Sequence, residues 1–403
     1  MKLGIVREGK VPPDKRVPLT PEQCVDVMNK YPHVKVVVQP SSIRCFSDEE
    51  YAEKGIALQD NLGDCDVLLG VKEVKINDLI PGKIYFFFSH TIKKQSYNRK
   101  LLQSMLEKNI QMVDYEVLTN KDGFRIIGFG RFAGLVGAYS GLRAFGLKNE
   151  LFELKPAHLC NDLNEMLQHL DQITLSPVKI AVTGDGRVAG GVLEILNHMN
   201  IMRVSPEAFL NEDDDLEDPI YTQLLPNNYA RRKDGKLFDL SHFFHYPAEY
   251  ENAFQPFAKA TDILIAAAYW DPKAPVLFTN DEMKHPDFRI SVISDITCDI
   301  EGSIPSTKRA ATIDDPYYDY NPFTGELEEA FSNPNNISVQ AVDNLPNELP
   351  KDASDAFGRS LIDAVFPGLF GEDKDEIISR ASITKDGRLT EKFSYLQDFA
   401  DGK

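Results

Sequence analysis

The stretch VKIAVTGDGRVAGGVLEILNHMN, residues 178–200, decides the fold of this chain. A short apolar run leads into a glycine-rich turn, and the turn opens a segment with apolar residues at helical spacing. Gly184 and Gly186 fit the pattern G-x-G-x-x-G/A there, with Arg187 and Val188 at the start of the helix. Glycines permit a tight turn, and the N–H groups of a helix start favour a pyrophosphate. The stretch therefore predicts a dinucleotide-binding unit, with a purely structural glycine turn as the alternative.

Outward from this turn, the first third of the chain alternates short apolar runs with helical segments. The runs VKVVVQP, CDVLLGV, KIYFFFS and IQMVDYEVL predict strands, and residues 96–109 predict a helix between two of them. This alternation is typical of parallel βαβ units. Residues 130–146 are rich in glycine and alanine, which predicts a closely packed helix that bridges two domains.

We therefore predict an α/β protein with two Rossmann-like domains, each built on a parallel sheet, and a cleft between the domains. The substrate and catalytic domain would comprise residues 1–140 and 340–403, and the dinucleotide-binding domain residues 141–339. Further strands are predicted at ATDILIAAAYW and FRISVISDI. Residues 211–236 contain an acidic run and predict a long surface insertion, which we interpret as a solvated loop rather than a metal site.

Composition excludes several classes of function. The formal net charge is −18 over 403 residues, which disfavours nucleic acid as a partner because binding to phosphates depends on basic side chains. No apolar run of about 18 residues is present and charges interrupt the N-terminus, so we predict a cytoplasmic protein without a membrane partner. The five cysteines lack a C-x-x-C pair, so we predict neither a disulfide framework nor a bound metal.

Charged side chains cluster at the predicted strand ends of the first domain. They are Arg16, Lys72, Glu73, His90, Lys93 and Glu116. Ligands of parallel sheets bind beyond the carboxyl ends of the strands, so these groups are expected to meet in one cleft. Taken singly, Lys72 and Glu73 could be a surface pair and His90 a capping or core residue. Together with a nicotinamide-type turn, a clustered Lys, His and Glu can supply the proton donors and acceptors that hydride transfer at a C–N bond requires.

The motifs resemble those of the alanine dehydrogenase superfamily, and within it the lysine-forming saccharopine dehydrogenases and lysine-ketoglutarate reductases. The resemblance runs over nearly the whole chain. It rests on RVPLTP, LLGVKE, FFSHTIKKQ, VDYE, GFGRFAG, YPAEY, AAYWD, SDITCDIEGSI, VDNLPNELPKDAS and ITKDGRL. FFSHTIK and DNLPNELP point to this branch rather than to the alanine dehydrogenases.

The resemblance implies a reaction and assigns roles. L-Lysine and 2-oxoglutarate would condense to an imine, and NAD or NADP would take part in its interconversion with saccharopine. Lys72 and His90 would be the acid–base pair, tuned by Glu73 and Glu116. In addition, the resemblance implies binding of substrate carboxylates by Arg16, Lys93 and Arg125, and it places Asp343 near the nicotinamide.

The choice of coenzyme depends on the strand after the glycine helix. NAD sites usually end that strand with an acidic residue that binds the ribose and repels a 2′-phosphate. The candidate position here is Ser205, with Arg203 nearby, which predicts tolerance of NADP. Alternatively, Glu207 or a residue from a later loop reaches the ribose and restores a preference for NAD.

Two other functions stay open at this point. The first is an alanine dehydrogenase or related opine-type amino-acid dehydrogenase with a different amine partner. The second is a nucleotide-binding regulatory protein without turnover, against which the intact set of Lys72, Glu73, His90 and Glu116 argues.

Overall fold

The structure, a computed structural model, describes residues 1–211 and 216–403. Its strands in chain order are β1 (Lys2–Ile5), β2 (Lys35–Val38), β3 (Ala57–Leu58), β4 (Val67–Leu69), β5 (Ile84–Phe87), β6 (Gln111–Asp114), β7 (Lys179–Thr183), β8 (Met202–Arg203), β9 (Ile220–Leu224), β10 (Ala230–Arg232), β11 (Tyr250–Asn252), β12 (Ile263–Ala266), β13 (Val292–Asp295), β14 (Tyr317–Tyr320), β15 (Leu327–Glu328), β16 (Ile337–Gln340), β17 (Ser382–Lys385) and β18 (Arg388–Leu389).

Helices connect most of these strands. In chain order they are α1 (Pro21–Lys30), α2 (Asp48–Glu53), α3 (Arg99–Glu107), α4 (Gly130–Lys148), α5 (Leu163–Leu170), α6 (Arg187–His198), α7 (Pro206–Asn211), α8 (Pro226–Tyr229), α9 (Leu240–His245), α10 (Gln255–Ala260), α11 (Pro350–Ser360), α12 (Phe366–Phe370), α13 (Ile377–Ala381) and α14 (Gln397–Asp401). Among the described residues, no helix combines the length and apolar character needed to cross a bilayer.

The chain divides into two compact units. Unit 1 comprises Met1–Phe129 and Pro350–Lys403, and unit 2 comprises Gly130–Leu349. Helix α4, which the sequence analysis places across a domain border, begins at the first residue of unit 2. The cleft predicted between two domains stays a prediction.

Unit 1 is built on an eight-stranded sheet in the order β18-β17-β6-β5-β4-β1-β2-β3. The six strands from β6 to β3 are parallel, and β17 adds to the edge of β6 in the antiparallel sense. Both faces of this sheet are covered, since Val67 and Leu69 pack into one apolar core and Leu68 into another. Burial on both faces explains why β4 and its neighbours are apolar without alternation.

Unit 2 contains a second eight-stranded sheet in the order β15-β14-β16-β13-β12-β7-β9-β8, and a two-stranded hairpin of β10 and β11. Strands β8, β9, β7, β12, β13 and β16 are parallel, while β14 and β15 pair in the antiparallel sense. The predicted α/β class with two sheets of mainly parallel strands is therefore confirmed.

Helices α4 and α6 cross at glycines. A Cβ atom at Gly134 would lie 1.9 Å from the carbonyl oxygen of Val188, and one at Gly191 would lie 2.0 Å from that of Arg131. Neither distance is sterically possible, so each backbone can approach the other only without side chains at these positions. This contact holds the glycine-turn helix against α4 within unit 2.

The predicted surface insertion at residues 211–236 is wrong in its larger part. Strand β9 runs through it and pairs in parallel with β7 within the second sheet. The segment IYTQL is almost entirely buried, and the polar pair Thr222 and Gln223 in its middle hid an interior strand. The acidic run at residues 212–215 lies outside the described residues.

Candidate active site

The predicted catalytic residues of unit 1 follow the carboxyl ends of three adjacent parallel strands. Lys72 and Glu73 come after β4, His90 after β5, and Glu116 after β6. Because the strands are parallel neighbours, their carboxyl ends share one edge of the sheet. The topology therefore brings four of the predicted residues to that edge.

An unbroken chain of charged contacts connects these strand ends. His90 lies between two carboxylates, with Nδ1 at 3.3 Å from Glu116 Oε2 and Nε2 at 3.8 Å from Glu73 Oε1. Lys93 Nζ lies 3.5 Å from Glu116 Oε1, and Lys10 Nζ lies 3.2 Å from Glu73 Oε2. The imidazole can therefore exchange a proton while its neighbours hold it in place. We call Lys10, Glu73, His90, Glu116 and Lys93 the charged chain.

The backbone at His90 is unusual. Its φ is 54°, in the left-handed region that residues other than glycine adopt infrequently. The imidazole stacks beside the ring of Phe88 at a centroid distance of 6.4 Å, and the amide of Asn98 donates to the carbonyl oxygen of His90 at 3.3 Å. These contacts offset the backbone cost and direct the ring toward Glu73 and Glu116.

Charge neighbours set the protonation of Glu116. Burial raises the pKa of this carboxyl, but the hydrogen bond with His90 and the charges of Lys93, His90 and Arg125 outweigh burial. The net result lowers its pKa to about 2. Glu116 is therefore a carboxylate at neutral pH and can stabilise positive charge on its neighbours.

The surroundings of Lys72 lower its pKa, and burial is the largest cause. Burial lowers the pKa of its ammonium group, and the charges of Arg16 and Lys10 lower it further, while Asp14 and Glu73 raise it. A lysine with a lowered pKa can act as a base nearer to neutral pH than an exposed lysine can. This environment suits the predicted acid–base role of Lys72.

The two predicted carboxylate-binding arginines stand on one group of aromatic rings. Arg16 lies 4.1 Å above the ring of Phe129, and Arg125 lies 5.4 Å from the ring centroid of Phe88. Phe88 and Phe129 contact each other at 6.0 Å. Arg16 is buried and also forms a two-point ion pair with Asp14, with Nε to Oδ1 at 2.9 Å and an outer nitrogen to Oδ2 at 2.5 Å. A substrate carboxylate at Arg16 would therefore share the guanidinium with Asp14.

Sequence reasoning missed three charged residues that belong to this edge. Glu8, Lys10 and Asp14 all lie in the loop after β1, whose carboxyl end is next to that of β4. The signal was present, because VREGKVPPDKR follows a short apolar strand with a dense run of charges. Arg16 is the one residue of this run among the predicted site residues.

The glycine turn lies at the carboxyl end of β7, a fully buried strand. Gly184 has φ 94°, and a Cβ atom there would lie 2.9 Å from Ala268 Cα, so only glycine fits. Gly186 caps α6, and a Cβ atom at this position would have no neighbouring atom within 4 Å, which leaves open space at the helix start before Arg187 and Val188. The turn thus has the tight backbone and open helix start that the motif requires, and the predicted pyrophosphate site stays a prediction.

Ser205 follows β8, the strand after the glycine helix, but β8 is not the strand beside β7, and the predicted role of Ser205 in coenzyme choice stays a prediction. Strand β8 is a two-residue edge strand that pairs only with β9 among the described strands, and β9 occupies the place next to β7. Ser205 caps α7 instead, since its hydroxyl accepts from the backbone N–H of Ala208 at 3.1 Å. The carboxyl end beside the glycine turn is therefore that of β9, where the sequence continues LPNNY without an acidic residue.

Hydrogen bonds link Arg203 to the glycine turn through the side chain of Gln223. Its guanidinium donates to Gln223 Oε1 at 2.7 Å, and Gln223 Nε2 donates to the carbonyl oxygen of Gly184 at 2.8 Å. Gln223 belongs to β9, so it bridges the edge strand and the turn. Arg203 is thus held by Gln223, which also binds the glycine turn.

An aromatic pocket of about 60 Å³ adjoins the glycine turn within unit 2. Its lining includes Thr183, Tyr229, Phe243, Tyr269 and Trp270. Thr183 ends β7, and its hydroxyl accepts from the backbone N–H of Ala267 at 3.1 Å, after β12. Sequence reasoning did not anticipate this pocket.

Asp343 follows the carboxyl end of β16 and is exposed. Its charge acts on Cys298, whose pKa rises to about 12 because of burial and then of this aspartate. Its predicted place near a nicotinamide remains a prediction.

One group of potential metal ligands occurs among the described residues, and its members belong to neither site. Ligand atoms of Cys160, Glu165 and His169 all lie within 4.8 Å of one another. Lys155 Nζ already lies 2.5 Å from Glu165 Oε1, and the backbone N–H of Asn161 donates to the other oxygen at 2.7 Å. The carboxylate is therefore neutralised and hydrogen-bonded by the protein itself.

Comparison with known families gives a match for the N-terminal part of the chain. Residues 4–136 match the model described as alanine dehydrogenase/PNT, N-terminal domain. The matched residues carry the whole charged chain. The similarity to this family therefore includes the strand edge at which the candidate catalytic residues meet.

Curated relatives extend the similarity over the rest of the chain. The α-aminoadipic semialdehyde synthase of Arabidopsis thaliana is 28% identical over 98% of this chain and 41% of its own length. The mitochondrial enzyme of that name from Bos taurus is 27% identical over 97% of this chain and 47% of its own. This chain thus spans less than half the length of these relatives. A saccharopine dehydrogenase [NAD(+), L-lysine-forming] from Emericella nidulans is 25% identical over 90% of both chains.

Solved structures agree on the fold. An L-alanine dehydrogenase superposes with a TM-score of 0.65 at 15% identity, covering 100% of this chain and 99% of the other. The transhydrogenase from Sinorhizobium meliloti gives a TM-score of 0.61 at 15% identity, covering 97% and 100%. With the curated relatives, these matches confirm the predicted resemblance to the saccharopine dehydrogenase branch of the alanine dehydrogenase superfamily.

Proposed function

We propose that this chain is an NAD(P)-dependent oxidoreductase that interconverts saccharopine with L-lysine and 2-oxoglutarate. The observation that carries the proposal is the position of His90 between Glu73 and Glu116, at the strand edge that also carries Lys72. The names of the relatives, which include saccharopine dehydrogenase, support a dehydrogenase as the broader class.

The chemistry requires several proton transfers at different atoms. The ε-ammonium group of lysine must lose a proton before it attacks the keto carbon of 2-oxoglutarate, and the resulting carbinolamine must gain one before water leaves. Lys72, with its lowered pKa, can take the first proton. His90 can deliver the second to the departing hydroxyl, while the contacts with Glu73 and Glu116 hold its ring in place.

The residues of the glycine turn fit a dinucleotide. Gly184 and Gly186 would hold its pyrophosphate at the start of α6, and the aromatic pocket beside Trp270 would take its adenine ring. A bound nicotinamide would supply or accept the hydride at the C–N bond. The protein's own part is to hold the substrate carboxylates with Arg125 and Arg16 and to move the protons.

We further propose that the chain accepts NADP. No acidic residue follows β9 before Asp234, so nothing in that stretch repels a 2′-phosphate. Arg203, held by Gln223 at the edge of the sheet, can pair with the phosphate. The Emericella relative is named for NAD(+), so the two chains would differ in the coenzymes that they accept.

The experiment that tests the reaction is oxidation of NADPH and NADH by the purified chain with 2-oxoglutarate and, in turn, lysine, ornithine, alanine and ammonia. We expect turnover with lysine. Turnover with pyruvate and ammonia, but not with lysine, would place the chain with the alanine dehydrogenases. Dinucleotide binding without any turnover would favour a regulatory protein.

A further inference from the structure

Glu8 links the loop after β1 to the turn that carries Lys72. Its Oε1 atom accepts a hydrogen bond from the backbone N–H of Val71 at 2.6 Å, and its Oε2 atom accepts one from the backbone N–H of Lys72 at 3.0 Å. One carboxyl group thus binds two successive backbone donors directly after β4. Two such bonds fix the position of the turn more firmly than either alone.

Charged and titratable groups from three elements surround this carboxyl. Asp14 and Arg16 lie in its own loop, Lys72 in the turn after β4, and Tyr115 in the turn after β6. The hydroxyl of Tyr115 is buried and has no hydrogen-bond partner in the described part of the chain. Burial raises the pKa of Glu8 to about 8, with a contribution from Asp14, against the lowering effects of the two backbone N–H groups and Arg16.

We propose that Glu8 is a positioning residue for Lys72, because it holds the turn of residues 70–73 and thereby keeps the Lys72 side chain in its desolvated site. The inference deepens the proposed function. It rests on that function only in assuming that Lys72 takes part in the reaction. Glu8 does not belong to the charged chain, and its effect on the chemistry passes through the backbone of Val71 and Lys72.

The geometry predicts what a carboxamide at this position does. Glu8→Gln keeps one acceptor oxygen, but its NH2 group would face a backbone N–H, so one of the two hydrogen bonds is lost. The turn then loosens and water reaches Lys72. Since burial is the largest cause of the lowered Lys72 pKa, that pKa rises toward the ordinary lysine value.

The test measures Lys72 directly. The rate at which a water-soluble acylating reagent modifies Lys72 is followed by peptide mass spectrometry between about pH 6 and 11, a range that brackets ordinary lysine pKa values. The full chain is compared with its Glu8→Gln, Glu8→Asp and Glu22→Gln variants. Glu22 lies on α1 and pairs with Lys54 at the surface of the same unit, so its variant makes the same chemical change away from the turn.

We expect the midpoint for Lys72 to rise by about one pH unit in Glu8→Gln, the usual size of environmental shifts, and to stay unchanged in Glu22→Gln. Glu8→Asp keeps the carboxyl group but not the reach, so it should also raise the midpoint and serves if Glu8→Gln does not fold. An unchanged midpoint in the folded Glu8 variants, or an equal shift in Glu22→Gln, would overturn the inference. Labelling needs no substrate, so absence of turnover by the wild-type chain would count against the proposed function and leave this result intact.

Discussion

His90 Nδ1 lies 3.3 Å from Glu116 Oε2, and this contact joins the carboxyl ends of two neighbouring parallel strands, β5 and β6. The same ring reaches Glu73 at 3.8 Å beyond the end of β4. Three segments distant in sequence thus place one imidazole between two carboxylates. The ring therefore stands at the strand edge where the proposed proton transfers would take place.

Removal of either acid–base group should lower turnover while coenzyme binding persists. In the proposed reaction, Lys72→Met and His90→Gln should each reduce kcat by about ten- to ten-thousandfold, the usual contribution of one general acid or base. Coenzyme binding can be followed by the fluorescence of Trp270, the single tryptophan, which lines the aromatic pocket.

Lys100→Met provides the matched control for the acid–base variants, because Lys100 is an exposed residue of α3 in the same unit. It should leave kcat unchanged. Near-normal turnover in both Lys72→Met and His90→Gln would show that Lys72 and His90 are not the acid–base pair.

Arg125 should act mainly on substrate binding. Arg125→Ala removes a guanidinium that stands on Phe88 and contributes to the low pKa of Glu116. Loss of a charge-assisted hydrogen bond costs about 1.5–3 kcal/mol, so the KM for 2-oxoglutarate or saccharopine should rise roughly ten- to a hundredfold. Steady-state kinetics with each dicarboxylic substrate measures this, and an unchanged KM for both would return Arg125 to a structural role.

Arg16 should affect stability more than Arg125 does. Its buried guanidinium pairs with buried Asp14 at two points, so Arg16→Ala removes the guanidinium partner of a buried carboxylate inside unit 1. Breaking one side of a buried pair typically costs about 3–5 kcal/mol. Denaturant unfolding should therefore show a marked loss for Arg16→Ala and little change for Arg125→Ala. Equal stability of the two variants would contradict a stabilising role of the ion pair between Arg16 and Asp14.

The sequence predicted the parallel strands and the residues at their carboxyl ends because both signals are local. Runs such as KIYFFFS are long enough to indicate buried strands, and the charges that follow them are adjacent in sequence. Strand order is a different kind of information. The segment IYTQL carries too weak a pattern to reveal that β9 lies between β7 and β8, so sequence reasoning does not show that β9, rather than the strand before Ser205, adjoins β7.

Glu8 shows a second limit of sequence reasoning. Its carboxyl accepts hydrogen bonds from the backbone of Val71 and Lys72, which follow it by 63 and 64 positions in the chain. No local pattern encodes a bond between a side chain and a distant N–H group. Likewise, the aromatic pocket combines residues from β7, from the segment after β9 and from the segment after β12. Such sites emerge only from the packed fold.

Coenzyme choice should depend on Arg203 and not on Ser205. Arg203→Ala removes a cation near the end of β9, so kcat/KM for NADPH should fall by about ten- to a hundredfold relative to that for NADH, the value of a charged hydrogen bond. Ser205→Asp is the control, because aspartate also caps a helix and the position lies on the edge segment before α7. Kinetics with both coenzymes measure the ratio. A ratio that changes with Ser205→Asp and not with Arg203→Ala would contradict this assignment.

The central claim is that this chain joins lysine to 2-oxoglutarate by reduction at a C–N bond. The most direct measurement is the amount of saccharopine formed per NADPH oxidised, determined by chromatography and mass spectrometry with isotope-labelled lysine. We predict one labelled saccharopine for each coenzyme oxidised, and at least about tenfold less product with His90→Gln at matched times. Coenzyme oxidation that yields no labelled saccharopine would contradict the account.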